Sequence, residues 1–200
     1  MMRKPLLSAL LLATAAPLAA QSTGTPVFHA PYRVFDRYEI GANVSDAGNI
    51  AFEGFYGFSQ AGASWDLALR AGVQDNGGCC KTAALLGVDA RFRVITQNAD
   101  FPLDGAIITG AGSRLVNGGS RLFIPIGISL GRRVNFTGST ASLVPYAEPV
   151  IVPNFGDGPS DTAVALGLGG DLRFNRRFEI RVNIGIGDIE NFSIGFSVAR

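Results

Sequence analysis

Residues 121–131 read Arg-Leu-Phe-Ile-Pro-Ile-Gly-Ile-Ser-Leu-Gly. Leu122, Ile124, Ile126, Ile128 and Leu130 share one parity; Arg121, Phe123, Pro125, Gly127, Ser129 and Gly131 share the other. Successive side chains of an extended chain point to opposite sides, so this stretch predicts a strand with one apolar and one mixed face. The same period orders Phe178, Ile180, Val182, Ile184 and Ile186 against Glu179, Arg181, Asn183, Gly185 and Gly187. It also orders Phe192, Ile194, Phe196 and Val198 against Ser193, Gly195 and Ser197. No long stretch keeps a helical period, and after the N-terminus no apolar run reaches the roughly 18 residues of a helical membrane span.

Turn chemistry cuts the chain between these runs, at 46–49, 59–62, 75–80, 97–100, 117–119, 137–139, 154–160, 175–176 and 187–188. Gly, Asn, Asp and Ser concentrate there because they tolerate turn conformations or bond their own backbone. The breaks predict ten strands, or eight if one hairpin fails. Two segments are weak: 101–115 lacks a clean apolar face, and 140–155 carries Pro145, Pro149 and Pro153, each without a ladder donor.

Composition sets the class. The chain has 200 residues, 47% hydrophobic and 16% charged, with 26 glycines, too apolar for disorder. A formal charge of +1 excludes a strongly basic nucleic-acid binder. Met1 to Lys4 is basic, residues 6–16 are apolar and Ala19-Ala20 is a small-residue end, the three parts of a secretory signal cleaved near Ala20. The expected organisation is therefore a signal peptide at 1–20, a short solvated periplasmic tail at 21–35 and a strand domain at 36–200. Without the signal, fifteen basic residues remain, of which only Lys81 is not arginine.

The lysine shortage bears on which face is inside. By parity the polar face holds Glu39, Glu53, Asp66, Asp89, Asp171 and Glu179 against Arg70, Arg91, Arg93, Arg133, Arg173 and Arg181. Guanidinium forks pair with carboxylates in confined space, whereas lysine prefers water, so this balanced set reads as an interior ionic network. With strands read in alternating directions, Tyr38, Tyr56, Phe58, Trp65, Phe92, Phe136, Phe174, Phe178 and Phe196 gather at one end, as an interfacial aromatic girdle would. That phasing places the first strand's start in the periplasm, tight turns at that end and longer loops outside.

On this patterning, residues 36–200 resemble the small bacterial outer-membrane β-barrel proteins of the OmpA, OmpW and opacity-protein group. The resemblance implies a closed, all-β, up-and-down antiparallel transmembrane barrel in the cell outer membrane, in contact with outer-membrane lipid. It also implies insertion by the barrel-assembly machinery, which reads a C-terminal strand like Ser193–Val198; that group usually ends in an aromatic residue, and here Arg200 stands last. A structural or surface-interaction role with an ionically plugged interior is the expectation. Narrow porin-like transport and a soluble, lipocalin-like periplasmic carrier with its apolar face inside are the rivals.

Chemistry-bearing residues are few. His29 has no acid or serine near it in sequence and reads as a tail histidine, so no catalytic residue is expected. Cys79-Cys80 reads as a loop feature of an oxidising compartment. Asp157 and Asp161 lack the ligand spacing of a calcium loop, and Gly167, Gly169 and Gly170 lack the lysine and helix of a phosphate loop. Arg176-Arg177 beside Phe174 and Phe178 reads as an interface anchor or an anionic-lipid contact. No cofactor, metal or nucleic-acid partner is expected, and no extracellular partner is identified.

Overall fold

The computed structural model describes residues 22–33, 35, 37–46, 48–75, 77, 82–175 and 177–200, with Asn191 described in its backbone alone. The expected signal peptide at 1–20, Cys79-Cys80, Lys81 and Arg176 lie outside the described residues.

Alternation becomes strand wherever it was read. The elements are β1 (Tyr38–Asp46), β2 (Ile50–Phe58), β3 (Trp65–Asp75), β4 (Thr82–Ile95), β5 (Asp104–Val116), β6 (Gly119–Phe123), β7 (Ile126–Gly131), β8 (Val134–Asn135), β9 (Ser142–Gly156), β10 (Asp161–Arg173), β11 (Phe178–Gly187) and β12 (Asn191–Ala199). Every pairing is antiparallel, and β12 returns to β1 with Val198 opposite Ile40, which closes the sheet. Segments β6, β7 and β8 together form one stave between β5 and β9, so the closed barrel has ten staves.

The broken stave has a cause in the neighbouring sequence. Pro145, Pro149 and Pro153 lie four residues apart on β9, so their missing N–H groups all point to the same side. Pairing of β9 with β10 runs without interruption, whereas the ladder on the β6–β8 side has gaps. The carbonyls of Pro145 and Pro153 still accept bonds from Arg132 and Ile124 at 3.2 and 3.0 Å. The two segments weakest in sequence are thus full strands, and β9 is the longest in the barrel at 15 residues.

On the staves with a clean alternation the apolar parity faces outward, while β5 and β9 turn apolar side chains such as Ile108, Val144, Val150 and Val152 inward as well. Ile126 and Ile128 are about half exposed while Gly127 and Ser129 are buried, and the same holds along β11 and β12. A continuous exterior of Ile, Val, Leu and Phe is far larger than a water-soluble surface carries, and strands of nine to fifteen residues suit a bilayer. This polarity is opposite to that of a lipocalin, whose apolar face is inside, and that rival is set aside. Arginine at Ile126, which is 48% exposed, should cost about 2–4 kcal/mol in a bilayer. Urea unfolding of the Ile126→Arg barrel in vesicles measures this; a cost near zero would remove the residue from the hydrocarbon.

All nine girdle aromatics face outward at the end that carries the C-terminus, hereafter the terminal mouth, with Phe58 and Trp65 half-buried. Tyr38, Tyr56 and Phe58 stack in series, with ring centroids 6.4 and 6.2 Å apart. Phe52, Phe155 and Phe192 form a sparser outward set toward the other, far mouth. Loop length departs from expectation: the long connections 96–103 and 132–141 are at the terminal mouth, whereas 157–160 and 188–190 at the far mouth are short. Strand pairing extends to Gly156 and begins again at Asp161, consuming the loop expected there.

Candidate functional site

Among the described residues, polar and charged side chains out of solvent are concentrated in the lumen. Ten of the twelve residues read as an interior network are buried: Glu39, Glu53, Asp66, Arg70, Asp89, Arg91, Asp171, Arg173, Glu179 and Arg181. Arg93 and Arg133 are not; both are exposed at the terminal mouth. Arg93 is still in register, opposite the buried Ala106, but lies at the mouth end of β4, and Arg133 follows the end of β7, so both line the open terminal mouth rather than the enclosed lumen.

Two clusters organise the buried charges. Glu179 joins two guanidinium groups, accepting from Nε of Arg173 and of Arg181, both at 2.6 Å. Arg181 continues past β12 to Glu39, with Nη2 at 2.8 and 3.1 Å from the carboxylate oxygens. Small interior residues on β12 (Ser193, Gly195, Ser197 and Ala199) leave room for that reach. Arg181 also lies over the buried Phe55 ring, 5.1 Å from its centroid. In the second cluster Arg70 Nη2 donates to Glu53 at 2.6 Å and Nη1 to Asp89 at 3.3 Å, while Arg91 holds Asp66 with two parallel bonds of 2.9 and 3.0 Å. Bidentate geometry of this kind is what makes an enclosed guanidinium tolerable.

The expected solvated tail is instead inside the barrel. Residues 22–28 and 30 are buried, and the segment runs from the terminal mouth at Phe35 up the lumen and turns back at 25–27. Non-alternating sequence with Pro26 and Pro31 gave no strand signal, and nothing in its period distinguishes an internal plug from a free tail. From Phe28 to Tyr32 its backbone is bonded to the wall. Arg91 Nη1 donates to the carbonyls of Ala30 and Tyr32 at 2.7 and 2.8 Å, Ser129 to that of His29 at 2.6 Å, and Tyr146 to that of Phe28 at 3.0 Å. The His29 amide donates to Glu148 at 2.7 Å, and the Thr25 hydroxyl to Glu53 at 2.6 Å.

Phe28 anchors the segment in an apolar half of the lumen built by Phe123, Val144, Tyr146, Val150, Val152, Ala163 and Ala165. A Cβ at Gly167 would fall on the Phe28 ring, which is why β10 carries glycine there. Ile189, from the 188–190 connection, closes over the same cluster from the far mouth. Between His29, Asp66, Arg70, Asp89, Arg91 and Arg181 a cavity of about 20 Å³ remains, room for about one water molecule.

His29 Nε2 is 3.4 Å from Asp89 Oδ2, so the fold supplies an acid that sequence proximity did not. Asp157 accepts from the Ser120 amide on β6 and Asp161 from the amide of the adjacent Thr162, so both engage backbone; no group of three metal-ligating side chains occurs among the described residues. The sequence reading missed Asp104, Glu148 and Tyr146, all inward on β5 and β9, the two strands without a clean face. Parity alone would have found them had those strands been phased. Tyr32 donates to Asp104, and burial, followed by that bond, raises its phenol above the ordinary range.

No family model matches the sequence, nor does any curated protein. Among solved structures, the chain is similar to the β domain of the Bordetella autotransporter BrkA, with a TM-score of 0.54 and 16% identity over 76% of this chain and 73% of that one. At that identity the two share a fold, the closed β-barrel.

Proposed function

We propose that this chain is an integral outer-membrane β-barrel whose lumen is closed, with a structural or surface-interaction role rather than solute transport. The observation that carries the reading is the occupied lumen: residues 22–33 lie inside it, bonded to the wall at Thr25, Phe28, His29, Ala30, Tyr32 and Arg33, over an ionic network whose buried members are paired. The outward apolar belt and the barrel fold shared with an autotransporter β domain support the membrane assignment. Outer-membrane lipid and the barrel-assembly machinery are the partners this reading requires, and a signal peptide ending near Ala20 would direct export.

The reading includes no catalysis. His29 and Asp89 meet inside the closed lumen, and Asp89 is already held by Arg70. Serine-directed labelling of the purified protein that disappears in His29→Ala would overturn this part.

Fractionation with a heat-modifiable gel shift tests residence, and planar bilayers test closure. The native protein should fractionate with the outer membrane, migrate faster before heating, and give no steady unitary current. A wholly soluble chain would defeat the membrane reading. Large, steady currents from the native protein would replace closure with a porin-like path.

A further inference from the structure

At the terminal mouth guanidinium groups outnumber the carboxylates beside them. Arg33, Arg91, Arg93 and Arg133 surround an open cavity of about 350 Å³ together with Tyr32 and Asp66. That volume is within the range of small-molecule sites, roughly 300–1,000 Å³. Both carboxylate oxygens of Asp66 are taken by Arg91, whose remaining donor holds the carbonyls of Ala30 and Tyr32. Arg33 is braced against the carbonyls of Trp65 and Gln60 at 2.9 and 3.2 Å. Among the described residues, neither Arg93 nor Arg133 takes part in an ion pair.

Arg133 is nevertheless positioned. Its guanidinium lies 4.9 Å over the Tyr32 ring, and Tyr32 is itself tied to Asp104. Partial burial, followed by the like charge of Arg173, pushes the Arg133 guanidinium below its ordinary range, against the opposing pull of Tyr32, Glu179 and Asp104. Planar forks of N–H donors converging on one cavity are the donor set that oxyanions fit. We propose that this mouth binds a phosphate-type oxyanion, carried by a free phosphate solute or by an anionic lipid headgroup, with Arg93 and Arg133 as its two forks and Arg33 as the third side.

The full mature protein in zwitterionic micelles should be treated with phenylglyoxal and mapped by mass spectrometry, with and without inorganic phosphate. A second arm uses phosphatidylcholine vesicles with and without phosphatidylglycerol. Selective protection of Arg93 and Arg133 by phosphate supports a solute site, and protection only by phosphatidylglycerol supports a headgroup site. Exposed Arg132, beside the same mouth, is the internal control. Protection that extends equally to Arg132 is charge screening and overturns the proposal, as does protection by neither anion. The Arg93→Gln, Arg133→Gln double variant should weaken binding of the effective anion by about tenfold or more, the scale of a lost charge-assisted bond. Undiminished binding by a folded double variant would also overturn it.

Discussion

Removing residues 21–35 from the mature chain should turn a silent barrel into a conducting one. A barrel of eight strands is filled by its own side chains, and ten strands enclose somewhat more space. Here the surplus is occupied by the inserted segment, whose Phe28 ring fills the apolar half and whose carbonyls are bonded to Arg91, Ser129 and Tyr146. Without it those donors face an open lumen, and water and ions can follow. Planar bilayers should record steady unitary currents from the shortened protein and none from the native one. A heat-modifiable gel shift establishes that the shortened chain has closed its barrel. Gly167→Leu approaches the same end with the segment present: its side chain needs the space of the Phe28 ring, so intermittent current is expected. A folded, shortened barrel that stays silent would mean that strand side chains alone form the seal.

The parts of this molecule legible in sequence are those where period two and strand geometry coincide. Ile126 outward and Gly127 inward follow from parity, and so do ten of the twelve interior charges. Parity does not say where the lumen opens: Arg93 keeps its register at the mouth end of β4, and Arg133 lies beyond a strand end, so both are exposed. It was silent on β5 and β9, where prolines and small residues blur the two faces and hide Asp104, Tyr146 and Glu148. The inserted segment had no period to read at all. Its burial is a tertiary fact, set by glycines at 87, 112 and 167 on facing strands whose missing side chains admit Ser22 and Phe28. The loop-length asymmetry also failed, because β9 and β10 pair further than their turn-rich ends suggest.

Glu179→Gln should be the most destabilising single substitution in the ionic network. Glu179 is 1% exposed and is the carboxylate that both Arg173 and Arg181 approach at 2.6 Å. Removing one partner of a buried ion pair leaves the other charge uncompensated, at a cost of about 3–5 kcal/mol. Glutamine keeps the shape and one acceptor oxygen, so the loss reports charge rather than volume. Arg181 retains Glu39 at 2.8 Å, whereas Arg173 has no other ion pair among the described residues and keeps a bond of 3.4 Å to the Tyr32 carbonyl. The uncompensated charge therefore falls on Arg173. Replacing both members, Arg173→Met with Glu179→Gln, should recover part of the loss, because the stranded guanidinium is gone. Urea unfolding in vesicles reads all three proteins, and planar bilayers read whether the freed arginine admits an anion-selective leak. A Glu179→Gln barrel within about 1 kcal/mol of native, at the exposed-pair scale, would show that water rather than Glu179 solvates these arginines.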